Sequence, residues 1–168
     1  MTINVVSKID DQVKVRHALI SVSDKTGLEQ LVPGLKQINP DIRIFSTGGT
    51  YKRLQEILGS AADQSLTQVS EYTGQPETQG GLVKTLDFRI YLGLLTETYN
   101  QAHQADLQRT DSVAIDLVVV NLYPFKATIA RQGATVENAR GNIDIGGPCM
   151  IRAPVPGNSC SDPLMVCF

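Results

Sequence analysis

The sequence predicts an α/β fold built on a mostly parallel, doubly wound sheet, and three observations carry that expectation. Apolar runs at residues 17–23, 42–47 and 115–125 each finish in polar groups. Segments of helical period lie between them. The last run is rich in β-branched residues, as in strands covered on both faces of a parallel sheet. Strands and helices that alternate at this spacing pair through crossovers, which makes the strands parallel.

Residues 17–23 form the first strand, and Asp24-Lys25-Thr26-Gly27 follow as a turn. Thr26 and Glu29 have capping-box spacing. Leu28, Leu31, Val32, Leu35 and Ile38 then mark one apolar helix face. Pro33 and Gly34 interrupt it, and because proline removes an internal hydrogen bond a kink or early end is expected there. Residues 42–47 make the second strand and residues 50–58 the second helix, capped by Thr50 and stopped by Gly59. Residues 66–69 form a brief third strand, followed at 70–81 by a stretch rich in turn formers. Residues 92–109 are mostly helical in character, with Tyr99, His103 and Leu107 on one stripe. His103 reads as a satisfied surface histidine, since no second ligand sits at metal spacing. Residues 115–125 are the strongest strand, from whose C-terminal end Asn121 and Tyr123 emerge, and a further helix starts at Thr135.

Bulk properties narrow the function classes. Fifteen Lys and Arg against 17 Asp and Glu leave a net charge of −2 over 168 residues, with no basic block to hold nucleic acid by general electrostatics. No run approaches the roughly 18–20 apolar residues of a membrane span, and residues 1–16 lack an apolar core of signal-peptide length. A soluble, cytoplasmic, single-domain protein is the expectation. Cys149, Cys160 and Cys167 lack the paired spacing of a zinc site and read as reduced thiols.

Ile44-Phe45-Ser46-Thr47-Gly48-Gly49-Thr50-Tyr51-Lys52 organises the chemistry. It reads as strand, tight turn and helix start, where backbone N–H groups lack partners and the helix dipole favours an anion. Gly48 and Gly49 allow close approach, and Ser46, Thr47 and Thr50 add hydroxyls. The stretch is a phosphate cradle or, alternatively, a glycine-rich turn that binds nothing. Lys25 is a solvated turn lysine or an anion contact beside the cradle. Lys84, between apolar neighbours, is a snorkelling surface residue or points into a site. Asp144 stands just before another glycine pair, Gly146-Gly147. Ser21, Ser23 and Lys25 after the first strand, Ser46 to Thr50 after the second, and Asn121 and Tyr123 after the strongest all fall at one sheet edge, where open α/β sheets bind ligands.

Six blocks stand in an order that resembles a known family: Ser21-Val22-Ser23-Asp24-Lys25-Thr26-Gly27, Ser46-Thr47-Gly48-Gly49-Thr50, Thr73-Gly74-Gln75-Pro76-Glu77, Val83-Lys84-Thr85-Leu86, Asn121-Leu122-Tyr123-Pro124-Phe125 and Asn142-Ile143-Asp144-Ile145-Gly146-Gly147-Pro148. They are similar to the IMP cyclohydrolase domain of the bifunctional purine-biosynthesis protein that also carries AICAR formyltransferase. The resemblance spans residues 17–152, leaving 1–16 as an N-terminal extension and 153–168 as a divergent or truncated tail. It implies a three-layer, methylglyoxal-synthase-like α/β fold, ring closure of the formamido-carboxamide ribonucleotide FAICAR to IMP with loss of water, no metal or organic cofactor, and a homodimer. Carried over by motif, Lys84, Asn121, Tyr123 and Asp144 surround the reacting groups. Ser21, Ser23, Lys25, Ser46, Thr47, Gly48, Gly49 and Thr50 hold the 5′-phosphate and ribose, and Val83, Thr85, Leu86, Ile145, Gly146 and Gly147 complete the substrate contacts. A nucleotide-binding regulatory module of the same fold, without chemistry, is the alternative.

The chain also departs from the family pattern. Leu82 stands where the family has arginine, Asp87-Phe88 where it has His-Pro, and from Ala153 onward the likeness stops, with Pro156 aligned to a second catalytic lysine. The formyltransferase half has no counterpart in these residues.

Overall fold

The computed structural model describes residues 12–76, 84–97 and 99–153, and the backbone of 164–167. Its sheet has five strands: β1 (His17–Ser21), β2 (Arg43–Ser46), β3 (Leu66–Gln68), β4 (Leu117–Val120) and β5 (Leu164–Cys167). Their order is β3-β2-β1-β4-β5, and every neighbouring pair is parallel. β5 falls inside the divergent tail and is an addition to the sequence reading. A ladder is made by backbone groups, so a four-residue apolar run can pair with β4 whatever family its side chains come from. Residues 77–83, including Leu82 and Val83, and residues 154–163, including Pro156, lie outside the described residues.

Alternation along the strands assigns the two helical layers. Ala18, Ile20, Ile44, Leu117 and Val119 face one way, against Leu28 and Val32 of α1 (Leu28–Ile38) and Leu54 of α2 (Gly48–Leu58). Leu19, Phe45, Val118 and Val120 face the other. There, after the four-residue α3 (Ala62–Ser65), Val69 of α4 (Val69–Thr73) and Ile90 and Leu94 of α5 (Phe88–Leu95) pack against them. All four residues of β4 are buried, as a strand paired on both edges and covered on both faces must be. The remaining helices are α6 (Gln101–Arg109), α7 (Phe125–Ile129), α8 (Val136–Gly141) and α9 (Gly146–Arg152).

Local chemistry overrode several sequence expectations. Thr26 does not cap α1; its N–H and hydroxyl bond to Asp24 Oδ1 at 3.0 and 2.7 Å, holding that carboxyl below its ordinary pKa, and Gly27 is the cap residue instead. Pro33 does not shorten α1, because Leu28 and Val32 before it and Leu35 after it are packed on the sheet. Ile38, assigned to that apolar face, is 84 % exposed at the helix end. Thr47, not Thr50, is the N-cap residue of α2, and Gly59 ends it with φ +54° as expected. Residues 92–109 are divided between α5 and α6, because Asp87 caps the former and Asn100 the latter through its side-chain oxygen, which accepts from Ala102 and His103 N–H. His103 in turn accepts the Glu97 N–H at 3.1 Å.

At the N-terminal end of the sheet, Asp116 Oδ2 accepts the N–H groups of Arg16 and His17 at 2.8 and 2.9 Å. Burial lowers the His17 pKa below 6.5, and the nearby Asp116 charge only partly opposes it. The unfolded chain therefore binds the proton first as pH falls, so stability is full above 6.5 and declines between 6.5 and the lowered native value. The melting temperature is expected to fall across that window, and His17→Gln is expected to flatten the slope.

Candidate active site

Beyond the C-terminal ends of β1 and β4, where the strand order reverses, lies a cavity of about 600 Å³. Five pieces of chain line it: the loop after β1, the start of α2, residues 84–86, the end of β4, and the stretch from the end of α8 into α9.

One end gathers positive charge and backbone N–H groups. The Gly48 and Gly49 N–H groups at the start of the 11-residue α2 have no intrahelical partner, whereas those of Thr50 and Tyr51 bond to the Thr47 carbonyl at 3.1 Å. Gly48 there has φ +48°, and a Cβ on it would lie 2.9 Å from Lys84 Nζ. Lys25 reaches the same turn: its Nζ lies 3.8 Å from where a Gly49 Cβ would be and donates to the Ser23 carbonyl at 3.1 Å. The hydroxyls assigned to a phosphate are largely engaged elsewhere. Ser46 is fully buried and does not line the cavity; its hydroxyl donates to the Ile20 carbonyl at 2.7 Å. Thr50 accepts from Val22 N–H and donates to the Val22 carbonyl, and the Ser21 and Thr47 hydroxyls meet at 3.3 Å. Backbone N–H groups and lysines, more than these hydroxyls, are what the cradle offers.

The other end is organised by Asp144. Its Oδ1 accepts the Gly147 N–H at 2.9 Å and its Oδ2 the Tyr123 N–H at 3.3 Å, so one carboxylate joins the end of β4 to the start of α9. A Cβ on Gly147 would come within 2.6 Å of both Asp144 Oδ2 and Leu122 Cδ2, so only glycine leaves room. Tyr123 is 47 % exposed at the rim. Lys84, Thr85 and Leu86 span the two ends: Lys84 lies against Gly48, and Thr85 Oγ1 sits 2.8 Å from where a Gly146 Cβ would be. Ile145, Gly146 and Gly147 also line the cavity.

Asn121 lines the cavity, but its amide is bonded to the Ser23 and Asp24 backbone. Val83 lies outside the described residues. Sequence reasoning missed Arg140, which lines the cavity from the last turn of α8 while its Nε and Nη2 bond to Glu137 at 3.0 and 2.6 Å. The pairing lowers the Glu137 pKa and raises that of Arg140. The available signal was spacing, because a helix ending just before Asp144 has its last turn beside that carboxylate. Among the described residues the cavity carries three cations. Lys25 is held by Ser23 and Arg140 by Glu137, whereas Lys84 has no hydrogen-bond or ion-pair partner among the described residues.

The family model of the MGS-like domain matches residues 27–149. The bifunctional purine biosynthesis protein PurH of Synechocystis sp. is 50 % identical over 139 residues, which are 82 % of this chain and 26 % of that protein. Its counterpart in Magnetococcus marinus is 48 % identical over 140 residues, 83 % of this chain and 25 % of the relative. The chain therefore spans about a quarter of the length of these curated relatives. Among solved structures, that of ForH superposes with a TM-score of 0.67 at 27 % identity, covering 91 % of this chain and 74 % of the other.

Proposed function

Since the chain belongs to the MGS-like domain family, we propose that it is an IMP cyclohydrolase domain, closing FAICAR to IMP with loss of water. The observation that carries the reading is that Lys84, Tyr123 and Asp144 line the same cavity as Thr47, Gly49 and Thr50 of the turn and Lys25. A module that only bound a phosphate would need the turn and not the rest. The family resemblance adds a cytoplasmic location and a homodimeric state to the proposal.

In the reaction the carboxamide nitrogen attacks the formyl carbon, one C–N bond forms, and the formyl oxygen leaves as water with one proton from each of the two nitrogens. The α2 start and Lys25 hold the 5′-phosphate and so fix the base in an attacking geometry. The Lys84 ammonium and the Tyr123 hydroxyl address the charge that develops on the formyl oxygen and the proton it takes up. Asp144, fixed by two backbone N–H groups, orients the carboxamide or accepts its proton.

Incubating the purified chain with FAICAR and following IMP formation tests the proposal; IMP formation above the uncatalysed rate is expected. Replacing residues 153–168 with a family-like terminus that carries lysine in place of Pro156 is expected to raise the rate. A chain that binds IMP yet never closes FAICAR, even with that terminus, overturns the enzymatic reading in favour of the regulatory one. Gly147→Ala provides a narrower check. The added methyl displaces Asp144, so kcat is expected to fall roughly 10- to 100-fold, a misplacement effect, and the clash with Leu122 is expected to lower the melting temperature as well.

A further inference from the structure

Three side chains hold every backbone hydrogen-bonding group of Val22, Ser23 and Asp24. Thr50 Oγ1 accepts from Val22 N–H at 3.1 Å and donates to the Val22 carbonyl at 2.8 Å. Asn121 Oδ1 accepts from Ser23 N–H at 2.6 Å and from Asp24 N–H at 3.0 Å, while its Nδ2 donates to the Asp24 carbonyl at 2.8 Å. Lys25 Nζ takes the remaining Ser23 carbonyl at 3.1 Å. A carbonyl oxygen that accepts two N–H groups has both lone pairs filled, so Asn121 has no acceptor left for a reacting group. What it does have is a grip on the loop that carries Ser23 and Lys25, from the end of the strand that leads to Tyr123.

We infer that Asn121 is a positioning residue for the phosphate end of the cavity, acting through Ser23 and Lys25, and not a group that touches the reacting atoms. The inference rests on the nucleotide reading above for its choice of ligand. Asn121 supplies two accepted bonds and one donated bond in a planar fork that matches a backbone N–H, N–H, C=O sequence. Alanine removes all three. Aspartate keeps the two accepted bonds and loses the donated one, turning an oxygen toward the Asp24 carbonyl. A loop freed in this way no longer keeps the Lys25 ammonium over Gly49, so the consequence falls on the phosphate and leaves the base contacts alone.

Calorimetric titration with IMP and with inosine, which lacks the phosphate, separates the two ends of the cavity. The wild-type chain is expected to prefer IMP. Asn121→Ala is expected to lose roughly 10- to 100-fold in IMP affinity, as for the loss of contacts to a charged group. Its inosine affinity is expected to stay within about twofold, the tolerance for independent sites. Asn121→Asp retains more of the preference, and it makes the same comparison if the alanine variant does not fold. Lys25→Ala costs much less in the Asn121→Ala background than alone, because the two act through one contact.

Equal loss of both ligands, additive losses in the double variant, or a fall in kcat with both affinities intact would overturn the inference. A wild-type chain that does not distinguish IMP from inosine overturns it too. One that prefers IMP but does not close FAICAR overturns the proposed activity and leaves the role of Asn121 standing.

Discussion

Lys84→Ala lowers kcat for ring closure by roughly 100- to 1,000-fold, the range for removing one donor to a developing oxyanion, and weakens IMP binding by no more than about tenfold. The asymmetry follows from what each species asks of the ammonium. On the proposed reading the phosphate of IMP would keep Lys25 and the N–H groups at the start of α2 when Lys84 is gone. The formyl oxygen would keep the Tyr123 hydroxyl but no second cation among the described residues, since Arg140 is held by Glu137 and Lys25 serves the phosphate end. The proximity of Lys84 Nζ to Gly48 makes this a stringent test, because a lysine that served the phosphate alone would lose binding and rate together. Steady-state kinetics with FAICAR and calorimetry with IMP, on the same preparations, separate the outcomes. Equal loss in both would move Lys84 to the cradle.

Phe45→Ala is expected to destabilise the protein by about 3–5 kcal/mol, the usual cost of an aromatic removed from a core. Phe45 is fully buried in β2, its ring 4.6 Å from that of Tyr72, within the cluster formed by Leu19, Val69, Ile90, Leu94 and Val118. Rigid strands on one side and α4 and α5 on the other leave little freedom to close the void. For a domain stable by roughly 5–15 kcal/mol this is a large fraction. Urea denaturation measures it, with Ile38→Ala at the exposed end of α1 as the control expected to change stability by less than about 0.5 kcal/mol. A loss at Phe45 as small as the control would mean that the core layer under α5 contributes little.

The sheet was legible because its strands are buried, and burial writes itself into composition. Leu117 to Val120 could hardly be anything else. The helix limits were less legible, since they depend on competition between caps: Asp87 and Asn100 divide what periodicity alone joins, and Asp24 takes Thr26 away from α1. At the site, motif order picked out residues most of which line one cavity, but could not say which way each polar atom is satisfied. Ser46 and Thr50 read as phosphate ligands and instead bond to Ile20 and Val22, because hydroxyls at the end of β2 and in the first turn of α2 lie against the carbonyls at the end of β1. Arg140 was missed for a different reason, in that only its spacing before Asp144 hints at it, and that spacing becomes informative once α8 is known to end beside the carboxylate.

The position of β1 in the sheet has a further consequence. Its residue 17 meets residue 43, but its residue 18 must also meet residue 117. The first pairing closes a short stretch of chain and the second a long one, so during synthesis the β1-to-β3 unit can assemble well before β4 exists. The turn proposed to hold the phosphate, at the start of α2, belongs to that early unit, and Tyr123 and Asp144 belong to the late one. Nucleotide added to a refolding chain would therefore be captured in two stages, weakly by its phosphate and then firmly as the base contacts arrive, so that ligand retention is itself a clock for completion of the sheet.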